Sequence, residues 1–78
     1  MTQKDKLVGK FMQNPASLRY VQLIVVLEYY GFIQIQAKGS HVKFKHPKLT
    51  HDLVIPVHNN ECKDFYKQQA KKCIEKII

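Results

Sequence analysis

The stretch that most constrains the fold runs from Phe32 to Pro47 and reads FIQIQAKGSHVKFKHP. Two runs of β-type alternation meet at Gly39-Ser40, and His41 follows directly. Glycine in the first position of a two-residue loop suits a type II′ turn, because glycine accepts the positive φ required there. Such a turn sets Lys38 opposite His41, then Ala37 opposite Val42, Gln36 opposite Lys43, Ile35 opposite Phe44, and Gln34 opposite Lys45. Partners across an antiparallel pair share a face. The expected sheet is therefore apolar on the side of Ala37, Val42, Ile35 and Phe44. Lys38, His41, Gln36, Lys43, Gln34 and Lys45 form the other side, a basic working surface.

The flanking sequence supplies what must cover the apolar side. Leu7, Val8, Phe11 and Met12 predict a short amphipathic helix within residues 1–13. Asn14-Pro15 reads as the start of a second helix that continues to Tyr30, with Gly31 where a C-terminal cap belongs. A third strand is expected over Asp52–His58, with Leu53, Ile55 and Val57 on one side and Val54, Pro56 and His58 on the other. Pro56 cannot donate to a ladder, which makes that strand an edge. The last helix is expected from Glu61 to Ile78, its stripe formed by Cys62, Phe65, Tyr66, Gln69, Ala70, Cys73, Ile74 and Ile77. The fold class is α+β in the order α-β-β-β-α: a three-stranded antiparallel sheet with helices packed on one face. Residues 1–78 form one domain in this reading, with 1–14 as an N-terminal extension.

Size and charge limit the function classes. A chain of 78 residues buries only roughly 60–65% of its unfolded surface, which favours an open site over a deep enclosed cavity. The formal charge is +7 and nearly all of the excess is lysine, Arg19 being the lone arginine. That balance favours a polyanionic partner. Cys62 and Cys73, placed in one helix, would stand roughly 16 Å apart along its axis, beyond disulfide reach. Free thiols fit a reducing, cytoplasmic setting. The longest strictly apolar run, Leu23–Leu27, is far short of a membrane span. His41, His46, His51 and His58 with the two cysteines fall on different faces and elements, so no zinc pattern or other cofactor site is expected. His46 reads as a partly buried core residue and His51 as a loop residue. Helix packing is the default role for the tyrosines.

In order along the chain, Gly31-Phe32, Lys38-Gly39-Ser40-His41, Phe44, His46-Pro47, Ile55-Pro56 and His58 resemble the HicA toxins of bacterial toxin–antitoxin systems. The resemblance spans roughly Asn14 to Asn60. It implies a double-stranded-RNA-binding-domain-like fold and an endoribonuclease that cleaves messenger RNA and so blocks translation. It further implies His41 as the catalytic histidine and a HicB-type antitoxin as the neutralising partner. The chain departs from the commoner pattern in its leader, its scarcity of arginine and its final helix, DFYKQQAKKCIEKI.

The chemistry is compatible with these residue types. Metal-independent RNA cleavage needs a proton taken from the 2′-hydroxyl, charge stabilised at phosphorus, and a proton given to the leaving 5′-oxygen. Imidazole suits either proton transfer near neutral pH. Lys38, Lys43 and Lys45 are expected to bind RNA phosphate, Gly39 and Ser40 to let the backbone approach it, and His58 to join from the third strand. The alternatives are a non-catalytic double-stranded RNA-binding module and an inactive toxin relative. Against the former, the last helix begins Glu61-Cys62-Lys63-Asp64, with few of the cations such modules place there.

Overall fold

The computed structural model describes residues 3–78. Its elements are α1 (Gln3–Gln13), a 3-10 turn (Pro15–Ser17), α2 (Tyr20–Tyr29), β1 (Ile33–Gln36), β2 (His41–Lys45), β3 (Leu53–Pro56) and α3 (Asp64–Ile77). The strands form one antiparallel sheet in the order β1-β2-β3. The fold is α+β with the double-stranded-RNA-binding-domain-like order. β3 is an edge, as Pro56 requires. Residues 1 and 2 of the helix expected over 1–13 lie outside the described residues.

The second helix begins later than its sequence suggests. Pro15 starts only a 3-10 turn, in which Ser17 Oγ donates to the Asn14 carbonyl at 2.7 Å. Leu18 then turns extended and drops into the core, where it is 1% exposed. α2 starts afresh at Tyr20, and the Arg19 N–H donates to Gln22 Oε1 at 3.0 Å, half of a capping box. Its other end is a Schellman cap: Gly31 N–H donates to Glu28 O at 3.0 Å and Phe32 N–H to Leu27 O at 3.0 Å. Gly31 supplies the φ of +94° that this cap needs.

That cap decides the register of the hairpin. It delivers Phe32 to the core, 4% exposed, and strand alternation then turns Gln34 and Gln36 to the same side. Ile33 and Ile35 face outward, 62% and 39% exposed. The pairs are Ile33 with Lys45, Gln34 with Phe44, Ile35 with Lys43, and Gln36 with Val42, one residue away from the expected set. The expected turn bond survives, His41 N–H to Lys38 O at 3.4 Å with Gly39 at φ +68°. Ala37 N–H, however, bonds His41 O at 3.1 Å, so Ala37 and Lys38 together oppose His41 as a β-bulge. A one-residue slip exchanges the two faces of a strand. The expected grouping of Ile35 with Val42 and Phe44, and of the glutamines with the lysines, is therefore corrected. Burying a phenylalanine outweighs burying an isoleucine that stays half-covered by its neighbours.

The inner face of the sheet carries Val42, Phe44, Leu53 and Ile55, all buried against Leu23, Val26, Leu27, Ala70 and Ile74 of the helices. α1 packs on α2 and the 3-10 turn, with Phe11 fully buried. α3 begins at Asp64, not Glu61, because Asn59 and Asn60 adopt positive φ and close a tight turn between His58 and Glu61. Its stripe is also rotated from the expected one. Phe65 is 61% exposed, whereas Lys67 is 5% exposed, its stem buried and its Nζ 3.7 Å from Asp64 Oδ1. Among the described residues no helix is long and apolar enough to cross a membrane.

Candidate nucleic-acid site on the open sheet face

Among the described residues no helix covers the outer face of the sheet. Its rows run Ala37–His41–Pro56 at the turn end, Ile35–Lys43–Val54 in the middle, and Ile33–Lys45 toward the other end. Lys43 and Lys45 are exposed on this face with His41, as expected. Gln34 and Gln36 are not there, and their places are taken by Ile33 and Ile35. Sequence alternation alone could not find these isoleucines, because IQIQ fits either face equally well.

His41 combines a fixed backbone with a free ring. Its N–H and carbonyl are both held in the turn, its carbonyl also receives Gln36 Nε2 at 3.4 Å, and Pro56 is its partner in β3. The neighbouring Ser40 carbonyl accepts Val57 N–H at 2.8 Å, which ties the turn to the edge strand. The imidazole itself is exposed and makes no hydrogen bond among the described residues. Gly39 has open space where a Cβ would stand, so a large ligand can pass close over the turn. Lys38 lies in the bulge beside it, exposed.

His58 lies past the end of β3. Its N–H and carbonyl both pair with Glu61 at 2.9 Å. It lines a groove with Pro56, Glu61, Cys62, Lys63 and Tyr66, so Pro56 is the residue common to the surroundings of His41 and of His58. A second groove, of about 350 Å³, follows α3 past Phe65 and Tyr66 to Lys48 and Lys76, with Asp52 also on its wall. The exposure of Phe65 had no clear sequence signal, since its position lies on the expected apolar stripe.

His46 has a structural role. Lys48 N–H donates to its Nδ1 at 3.1 Å, which leaves Nε2–H to donate to the Tyr30 carbonyl at 2.9 Å. Its ring lies 5.0 Å from that of Phe32, and a Cβ on Gly31 would sit 3.5 Å from Nε2. Gly31, Phe32 and His46 thus form one staple between the end of α2 and the loop after β2. The thiols are poor candidates for chemistry. Burial pushes both Cys62 and Cys73 up, and nearby Lys67 and Lys76 offset this only in part. Among the described residues no three His, Cys, Asp or Glu side chains are grouped to hold a metal ion.

Comparison with known proteins rests on a family model. Neither the curated proteins nor the solved structures give a significant match. The model described as the HicA toxin of bacterial toxin–antitoxin systems matches residues 21–75, a span that contains the hairpin, the His46 staple and most of α3. The chain belongs to the HicA family of toxins.

Proposed function

We propose that this protein is a metal-independent endoribonuclease that cleaves messenger RNA, inhibits translation in the cytoplasm, and is neutralised by a HicB-type antitoxin. The whole chain acts as one domain, with residues 1–14 as its extension. The observation that carries this reading is His41: an unencumbered imidazole on a backbone fixed from both neighbouring strands, with Lys43 two residues along on the same open face. In this mechanism the 2′-oxygen attacks the adjacent phosphorus and the bond to the 5′-oxygen breaks. One imidazole takes the 2′-hydroxyl proton and a second acid gives a proton to the leaving oxygen. His41 serves one transfer, and His58, across Pro56, serves the other. Lys38, Lys43 and Lys45 hold phosphate, while Gly39 and Ser40 admit the backbone of the RNA.

Membership in a toxin–antitoxin family supports the existence of an antitoxin partner. The double-stranded RNA-binding alternative loses support at α3. Lys67, near its start, is buried beside Asp64 and is not offered to a duplex. The test is RNA cleavage and growth arrest by wild type and His41→Ala. The variant is expected to keep its melting temperature and to lose cleavage by about 10²–10⁴-fold, the usual scale for a general acid or base. Undiminished cleavage by the variant would remove His41 from the mechanism.

A further inference from the structure

The slipped register of β1 has built a second recess behind the turn. Gln34 and Gln36, on the Phe32 side of β1 but exposed at the sheet edge, meet α2 across an open groove of about 320 Å³. Its apolar walls are Val21, Ile24, Val42 and Val57. Its polar lining residues are Gln34, Gln36, Ser40 and Asn60. Tyr20 is 5% exposed, and its hydroxyl is buried without a hydrogen-bond partner among the described residues. Burial pushes this phenol up, the nearby Cys62 adding to the effect, so it stays a neutral donor. That hydroxyl has essentially no accessible surface, so the Tyr20 ring and not its oxygen faces the recess.

The lining of this groove suits a flat, polar-edged ring. Apolar walls suit the faces of a nucleobase, and amides and hydroxyls suit its edge, which is how unpaired bases are read in RNA. No charged side chain lines it, so it is not a phosphate site. Ser40, on its wall, is the chain neighbour of His41, and nothing stands within 4 Å of where a Cβ on Gly39 would be.

We infer that the groove between α2 and β1 binds one base of single-stranded RNA next to the scissile phosphate, and that it prefers bases with an exocyclic amine, adenine or cytosine, over uracil. The preference follows from Gln36. Its Nε2 is directed to the Ala37 and His41 carbonyls at 3.4 Å, which leaves Oε1 to accept a hydrogen bond from an amine. The inference rests on the ribonuclease reading only for its place in the reaction, since base binding is measurable without cleavage.

The experiment has two arms. In the first, the four ribonucleoside 5′-monophosphates are titrated into the isotope-labelled protein. AMP or CMP is expected to shift the side-chain amide resonances of Gln34 and Gln36 more than UMP does. Gln36→Leu is expected to weaken that binding at least about fivefold, on the scale of one hydrogen bond. In the second arm, cleavage sites on a messenger RNA are mapped for wild type and Gln36→Leu. An amine-bearing base beside the broken bond should recur with wild type and lose its enrichment with the variant. Equal shifts from all four nucleotides, or shifts confined to lysines, would overturn the inference even if the protein cleaves RNA. Selective nucleotide binding with no cleavage would instead overturn the ribonuclease reading and leave the base pocket standing.

Discussion

His41 and His46 bracket the same strand, one at its first residue and the other just past its last. Both belong to the residues that carry the family resemblance, yet the fold treats them in opposite ways. His46 spends both ring nitrogens on backbone groups and packs against Phe32. His41 has its backbone held and its ring free. A ring nitrogen committed to a structural bond is not available to shuttle a proton, whereas a free one on a rigid strand is. The contrast separates a histidine that builds the site from one that can act in it.

The sharpest way to break the contrast is to exchange the phenotypes. His41→Ala should lose about 10²–10⁴-fold in RNA cleavage with no change in thermal stability, and His46→Ala should do the reverse. Removing the His46 ring leaves the part-buried Tyr30 carbonyl without its partner and the exposed Lys48 N–H to water, for a loss of about 1–3 kcal/mol in denaturant unfolding. Cleavage per folded molecule should survive. If His46→Ala abolished cleavage in a fully folded protein, the two histidines would not differ as described.

The two glycines at positive φ sharpen the same comparison with a smaller effect. Gly31→Ala and Gly39→Ala should each cost about 1–2 kcal/mol of stability, since both place a side chain in the left-handed region. The added methyl meets only ordinary contact at Gly31 and open space at Gly39, so backbone strain and not collision sets the cost. Only the second should also impair cleavage, which kinetics on the folded fraction would show. The smallest effect is expected at Lys43. Its ammonium is exposed, and Lys43→Ala should weaken RNA binding by no more than about fivefold at physiological salt, as for an exposed ion contact of ~1 kcal/mol. The deficit should shrink as salt is raised.

Much of this was legible in the sequence because it depended on local signals. The Gly39 turn, the Gly31 cap, the edge position forced by Pro56 and the partly buried role of His46 each follow from a residue type and its neighbours. The face of β1 did not, since FIQIQ offers two alternations and the choice lies with Phe32, whose anchoring to Leu27 belongs to the helix cap. The orientation of α3 was hidden for a related reason. A helical stripe at spacings of three and four tolerates a modest rotation, and here rotation exposes Phe65 and buries the stem of Lys67. Hydrophobic pattern identifies a face to within about a residue, while a binding surface depends on that last residue.

The packing of Phe11 sets the segment that the family model matches apart from the segment that builds the core. The family match covers residues 21–75, but Phe11, Leu18, Tyr20 and Ile77 are core residues outside it. A fragment cut at the family boundaries would lose four side chains from its interior and leave the back of α2 wet. Deleting one large buried side chain commonly costs about 3–5 kcal/mol, comparable to the whole stability of a small domain. The matched segment should therefore not fold when expressed by itself. The leader, unremarkable as sequence, should then be required for the matched segment to hold its shape.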